Sequence, residues 1–182
     1  MEYEIVLCNY LACLFFRGKS HSRITYIRSA VTGLLVSWLG VWICRDRPVR
    51  SWHFQKELLK CMWMAFFVET VFYWAHRLLH TRKLFTYHAL HHVAVDPVPV
   101  DGIVASWLEI VLTGSLPFFG AVWIVRPHFR VYHTMLLTGL PFLMFVHGPY
   151  DDRHRQHHAR LTCNYGNTRM WDVICGTGKI AL

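Results

Sequence analysis

Residues 61–80 read CMWMAFFVETVFYWAHRLLH, a 15-residue apolar stretch that runs without a break into the pair His76 and His80. Nothing in the stretch stops a helix: there is no proline or glycine, and only Glu69 and Thr70 interrupt the apolar residues. Two histidines four residues apart then project from one face of that helix, at the point where it leaves an apolar environment. An apolar helix that delivers imidazoles at its end is the unit from which the rest of the chain can be read.

The composition agrees with such a unit repeated. Of 182 residues, 54% are apolar and 15% aromatic, and the mean hydropathy is +0.26. A soluble domain of this length is less apolar, so the chain reads as an integral membrane protein. The net charge of +8 sits in short basic flanks beside apolar runs, as in loops that border anionic lipid, and nucleic acid is not expected as a partner. The six cysteines form no C-x-x-C pair, and four of them (Cys8, Cys13, Cys44, Cys61) lie in or beside apolar runs. They read as buried thiols.

The apolar runs set the topology. Residues 5–16 are too few for the roughly 20 needed to cross a bilayer and read as a partial span, an interfacial helix or the remnant of a longer segment. Their acidic start, Glu2 and Glu4, does not fit a secretory signal. Residues 30–44 form a second run, extended to 27–44 if Arg28 snorkels. Residues 45–60 are polar and read as a loop with an amphipathic part. Residues 61–75 are the third run, 103–125 the longest, and 131–146 the last, delivering His147. The 103–125 run carries Glu109 and can bend at Pro117. Pro97 and Pro99 forbid a helix directly after the second histidine cluster.

Three clusters stand out: His76-x-x-x-His80, His88-x-x-His91-His92 and His154-x-x-His157-His158. One such spacing is common on helix surfaces, but two apolar runs between His92 and His147 return the chain to the side it left, so all three clusters fall on one face. That face, with Arg17, Lys19, Arg23 and Arg28 among its charges, carries 12 basic residues against seven on the other, which places it in the cytosol by the positive-inside rule. Eight imidazoles exceed the three or four ligands of one metal and point to two. No thiolate accompanies them, so iron, zinc, copper and manganese stay open. Glu69, seven residues before His76 on the same helix face, is placed to accept a hydrogen bond from a histidine. His21, His53 and His128 read as solvated loop or interfacial residues. His133, inside an apolar run, reads as a hydrogen-bonded core residue or a further ligand.

The order and spacing of the clusters, with His147-Gly-Pro-Tyr-Asp151, Asn164-Tyr-Gly166, Trp171-Asp172 and Gly176-Thr177, resemble the fatty acid hydroxylase/sterol desaturase superfamily over about residues 60 to 178. The resemblance implies an all-α membrane bundle of about four spanning or partly spanning helices with a cytosolic histidine-rich cap. Residues 1–60 would supply N-terminal membrane helices and loops, and residues 61–182 the catalytic domain. It implies a diiron oxygenase of the endoplasmic reticulum membrane that hydroxylates or desaturates a sterol, sphingoid base or fatty acyl chain. Dioxygen would be the co-substrate, with electrons from NAD(P)H through a b-type cytochrome and its reductase. The implied ligands of two iron ions are His76, His80, His88, His91, His92, His147, His154, His157 and His158. Asp151 is a second acid near them, and Asn164 and Asp172 are supports of the cap.

The absence of a G-x-G-x-x-G segment agrees with borrowed electrons, and Arg153, Arg155 and Arg160 offer a basic surface to an acidic donor or to lipid. The sequence carries no signal for an oligomeric state. One spacing departs from the family: Asp151 and His154 are three residues apart, where sterol-type members have a longer stretch. A smaller cap follows, and with it a competing reading, a catalytically reduced member acting as a metal-bound membrane regulator or partner. A membrane zinc hydrolase ranks last because H-E-x-x-H is missing.

Overall fold

The apolar stretch that ends in His76 and His80 is the second half of one 26-residue helix, Phe54–Leu79. The computed structural model describes residues 1–13, 15, 16, 18–149 and 151–179; Arg17 and Tyr150, named above, lie outside the described residues. Among the described residues seven α-helices follow in order: α1 Glu2–Cys13, α2 Arg23–Cys44, α3 Phe54–Leu79, α4 Trp107–Val125, α5 Phe129–Val146, α6 Asp152–Arg160 and α7 Met170–Ile174. No strand occurs among the described residues. Helices α2 to α5, with 22, 26, 19 and 18 residues, are long and apolar enough to cross a membrane. At about 1.5 Å per residue they match a hydrocarbon layer roughly 30 Å thick. Helix α1 is shorter and packs against α2 and α5.

The bundle wears its large apolar side chains outside. Leu35, Trp42, Met62, Trp63, Leu137 and Phe142 are exposed, as lipid-facing residues are. Inside, small residues let the helices close: Gly40 of α2 leaves room for the Phe119 ring of α4, which a Cβ there would overlap. Apolar runs do not distinguish these two surroundings. Cys13 and Cys44 are buried as expected, whereas Cys8 and Cys61 face outward.

Helix α3 begins at Phe54, well before the expected start of its apolar run, because its polar first turns are tied down at the far end of the bundle. Buried Glu57 accepts from Lys60 Nζ (2.7 Å) and from the His128 backbone N–H (2.7 Å). Val49 donates to Pro127 O, and Phe129 to Val49 O. His128 is buried, not solvated: it caps α5 by accepting from Arg130 N at Nδ1 and donates from Nε2 to Arg50 O at 3.1 Å. His133 is half-buried and pairs with Glu2 at 2.7 Å, outside both histidine groups.

Helix α4 does not break at Pro117. It changes winding instead, with a π-helical segment Ile110–Ser115 between two α-helical parts, and Pro117 sits in the first turn of the second part, where its missing N–H costs least. At the near end, short 3-10 turns over 85–87, 91–93 and 99–103 join α6 and α7 in a cap. Buried Asp101 ties this cap to α2 by accepting from Tyr26 Oη, Ser20 Oγ and Val98 N.

Candidate metal centre

All nine singled-out histidines meet at the cap end of the bundle, but not cluster by cluster. His76, His80, His88, His92 and His157 form one group, and His91, His147, His154 and His158 a second. Within each group the nitrogen atoms on offer lie within 4.8 Å of one another. The expectation that each cluster projects from one helix face holds for His76 and His80 at the end of α3 and for α6, but not for the second cluster. The second cluster is not α-helical: His88 closes a 3-10 turn on Phe85 O and His91 closes the next on His88 O. Tighter winding sends His88 and His92 to the first group and His91 to the second. Helix α6 likewise gives His157 to one and His154 and His158 to the other.

The rings are held from behind. His76 Nδ1 donates to Tyr165 O (2.7 Å), His91 to Val104 O (2.9 Å), His147 to Leu143 O (2.7 Å), His157 to Cys163 O (2.7 Å) and His158 to Ala94 O (2.8 Å). A carbonyl can only accept, so in these five rings the proton sits on Nδ1 and the lone pair on Nε2 points inward. The inward atoms crowd. His147 Nε2 is 3.0 Å from His91 Nε2 and 2.8 Å from His154 Nε2. His88 Nε2 is 3.0 Å from His76 Nε2 and 2.9 Å from His92 Nε2, and His80 and His157 face at 3.1 Å.

For His91 and His147 both facing nitrogens carry lone pairs, and neither can donate. A shared cation is what relieves that contact. A proton is a poor one here, because burial and the neighbouring imidazoles push His91 down to about 4 and His147 to about 3. Burial pushes His80 to about 4, and it holds His88, His92, His154, His157 and His158 far below the usual imidazole range. Two ligands about 2.1 Å from one metal ion and at right angles stand about 3 Å apart, the spacing seen. The residues therefore fit two transition-metal ions, one per group, with neutral nitrogen donors and no thiolate.

The supporting acids partly differ from expectation. Glu69 touches no histidine. It accepts from Thr168 N (3.0 Å) and Thr168 Oγ1 (2.8 Å), anchoring the loop before α7 to α3. Asp151 accepts from Arg153 N and His154 N at the start of α6, so it acts as a helix cap. The short step from Asp151 to His154 is thus one turn of helix start, and it leaves His147 and His154 in contact. Asp172 accepts from Tyr165 N, Gly166 N and Thr177 Oγ1, and Asn164 bridges Arg153 O to Lys179 N. Both hold the loop whose carbonyls grip His76 and His157.

The acid beside the histidines is Glu109, whose Oε1 stands 2.9 Å from His88 Nδ1 and 3.8 Å from His91 Nδ1. Its signal was present in the sequence, an acid inside the longest apolar run, the same reasoning that singled out Glu69. Of the basic residues beside the third cluster, Arg155 pairs with Asp96 and Arg153 donates to Asn167 O; Arg160 is exposed.

Below the histidines lies a cavity of about 290 Å³. Its walls come from the spans, with Phe72, Phe118, Phe119, Leu136 and Leu140 among them, and it ends on His76, His88, His91, His147 and His154, members of both groups.

Comparison with known proteins identifies the family. The model of the fatty acid hydroxylase family matches residues 61–177. The chain is 29% identical over 143 residues to methylsterol monooxygenase 1 of Rattus norvegicus, covering 69% of this chain and 48% of that protein. It is 27% identical over 154 residues to fatty acid hydroxylase ahd1 of Mycosarcoma maydis, covering 80% and 39%. To fatty acid hydroxylase domain-containing protein 2 of Macaca fascicularis it is 26% identical over 155 residues, covering 78% and 44%. The chain spans about half the length of the curated relatives it matches. No solved structure matches it significantly. With a family model covering more than half of its length, nine histidines gathered in two groups and four helices fit to cross a membrane, the chain belongs to the fatty acid hydroxylase family.

Proposed function

We propose that the chain is the membrane-embedded centre of an oxygenase that hydroxylates or desaturates a lipid of the sterol, sphingoid-base or fatty-acyl class. His76, His80, His88, His92 and His157 would hold one iron ion, and His91, His147, His154 and His158 the other. Two iron ions held there would supply the activation of dioxygen toward an unactivated C–H bond. The single observation behind the reading is the apolar cavity that rises through the bundle and ends on both histidine groups. An apolar chain or ring system enters such a cavity from the bilayer without crossing water, and its walls position one carbon below the histidines. Buried imidazoles that stay neutral keep their lone pairs for the metal and bring no competing protons.

Electrons come from NAD(P)H through a b-type cytochrome and its reductase, with exposed Arg160 on the surface such a donor meets. The membrane is that of the endoplasmic reticulum, with the cap in the cytosol, in keeping with the 12 basic residues counted on that face. The test is iron content and lipid profile together. Detergent-purified protein should carry about two iron ions per chain, and cells expressing it should contain an oxidised lipid that disappears with His157→Ala and without oxygen. Fewer metals, or a lipid profile indifferent to His157→Ala, would refute the proposal; activity without oxygen would point to a hydrolase.

A further inference from the structure

Five of the nine rings rest their Nδ1 on a backbone carbonyl. His88 does not. Its Nδ1 is buried without a hydrogen-bond partner among the described residues, and the atom that faces it, at 2.9 Å, is Oε1 of Glu109. The two atoms stand at ion-pair distance without the alignment of a hydrogen bond. His88 is also the hub of its group, its Nε2 touching those of both His76 and His92.

Glu109 is where it is because of its helix. Ser106 Oγ accepts from Glu109 N at the start of α4, fixing the first turn. The π-helical segment begins at the next residue, so the extra residue in that turn changes the face presented by everything after it and leaves Glu109 aimed at the cap. The carboxylate is 4% exposed, inside an apolar span, and its Oε2 is also without a partner among the described residues. An acid buried at this cost needs a cationic or donating partner. On the described residues that partner is the His88 ring, with His91 Nδ1 farther off at 3.8 Å and already bonded to Val104 O.

We propose that Glu109 is a positioning residue for the five-histidine group: it holds His88 through Nδ1, fixes the ring so that Nε2 faces the group, and makes this one ligand a stronger donor than its neighbours. The inference rests on the metal-binding reading above. It makes the two groups unequal, since the Nδ1 atoms of His91, His147 and His158 rest on neutral carbonyls, whereas His88 has an anion behind it. Removing a carboxylate from behind a ligating imidazole typically costs 10–100-fold in metal affinity.

The experiment titrates detergent-purified full-length chain with Co(II) against a competing chelator and records the visible ligand-field spectrum. Parent protein should take up two ions. Glu109→Gln, which keeps the shape and removes the charge, should weaken one of them by about 10–100-fold and alter the spectrum of that ion, leaving the other in place. Glu109→Asp should fall between the two. A double-variant cycle guards against a merely structural effect: if Glu109 acts through His88, then His88→Ala with Glu109→Gln loses no more affinity than His88→Ala alone. Two ions bound by Glu109→Gln with parental affinity and spectrum would overturn the assignment of Glu109 and leave the metal centre standing. A parent chain that takes up no metal would overturn both.

Discussion

Replacing Gly102 by alanine should empty one metal group and spare the other. Gly102 lies in the 3-10 turn Pro99–Ile103, with the His147 ring laid against it. A Cβ there would stand 2.7 Å from His147 Nδ1, 3.0 Å from its Cγ and 3.1 Å from the Leu143 carbonyl oxygen. Ordinary contact begins near 3.4 Å, so the ring must retreat by roughly 0.7 Å. It has nowhere free to go, because His154 and His91 are packed on it with ring centroids 4.2 Å and 4.9 Å away. Metal–ligand distances tolerate about 0.2 Å. The same shift breaks the 2.7 Å bond from Nδ1 to Leu143 O, and a buried donor left unpaired costs about 1–3 kcal/mol. Together these predict a loss of about 10–100-fold in affinity for the four-histidine group, with the five-histidine group unaffected. The assay is metal per chain after equilibration with a graded chelator. Gly139→Ala is the control: it also borders the cavity, but nothing lies within 4 Å of its added Cβ. It should leave metal binding unchanged and gain up to about 1 kcal/mol in helix propensity. If Gly102→Ala retains both metals with a parental chelator midpoint, the packing argument for His147 is wrong.

Three further outcomes follow from the same structure. Asp172→Asn removes a carboxylate that accepts three hydrogen bonds, from Tyr165 N, Gly166 N and Thr177 Oγ1; at about 1 kcal/mol or more apiece, the loop 164–178 should exchange its amide hydrogens at least tenfold faster, and unchanged exchange would refute the role. Glu69→Gln should loosen Thr168 yet keep metal content, because Glu69 touches no histidine; metal loss would restore the reading that ties it to a ligand. The metal-free cap should weaken in acid, as hydrogen exchange across pH 8 to 3 would reveal. With His80, His91 and His147 depressed to about 4, 4 and 3 from an unfolded value near 6.5, stability is whole above about pH 6.5. It falls with pH while only the unfolded state takes up protons, by at most about 1.4 kcal/mol per pH unit per ring; these three rings stop adding to the slope below about pH 3, whereas His88, His92, His154, His157 and His158, held lower still, keep it falling. A cap equally protected at pH 7 and pH 4.5 would contradict this.

How far the sequence reached can be judged from single residues. The stretch 61–80 already held the essential geometry: a long apolar helix that ends in two histidines, repeated by the run that ends in His147. Such features are local, set by side-chain period and hydropathy, so composition and spacing carry them. The apolar runs and the gathering of the clusters at one end were therefore legible, while the all-α bundle of about four helices came from the family resemblance.

The division of labour among the histidines was not. His88, His91 and His92 are neighbours in the chain, yet they serve two groups, because the turn that carries them winds as a 3-10 helix under constraints from the following prolines and the bundle beneath. Nor could spacing choose between two acids of equal standing. Glu69 and Glu109 each sit in an apolar run, and only the packing of α4 on α3 turns one toward Thr168 and the other toward His88. The carbonyls that hold the rings belong to Tyr165, Val104, Leu143, Cys163 and Ala94, and a backbone carbonyl has no letter in the sequence. By itself the sequence determined that this chain brings nine histidines to one end of a membrane bundle; which ring joins which group, and what holds it there, depend on contacts between residues up to about ninety positions apart, which only the tertiary structure brings together.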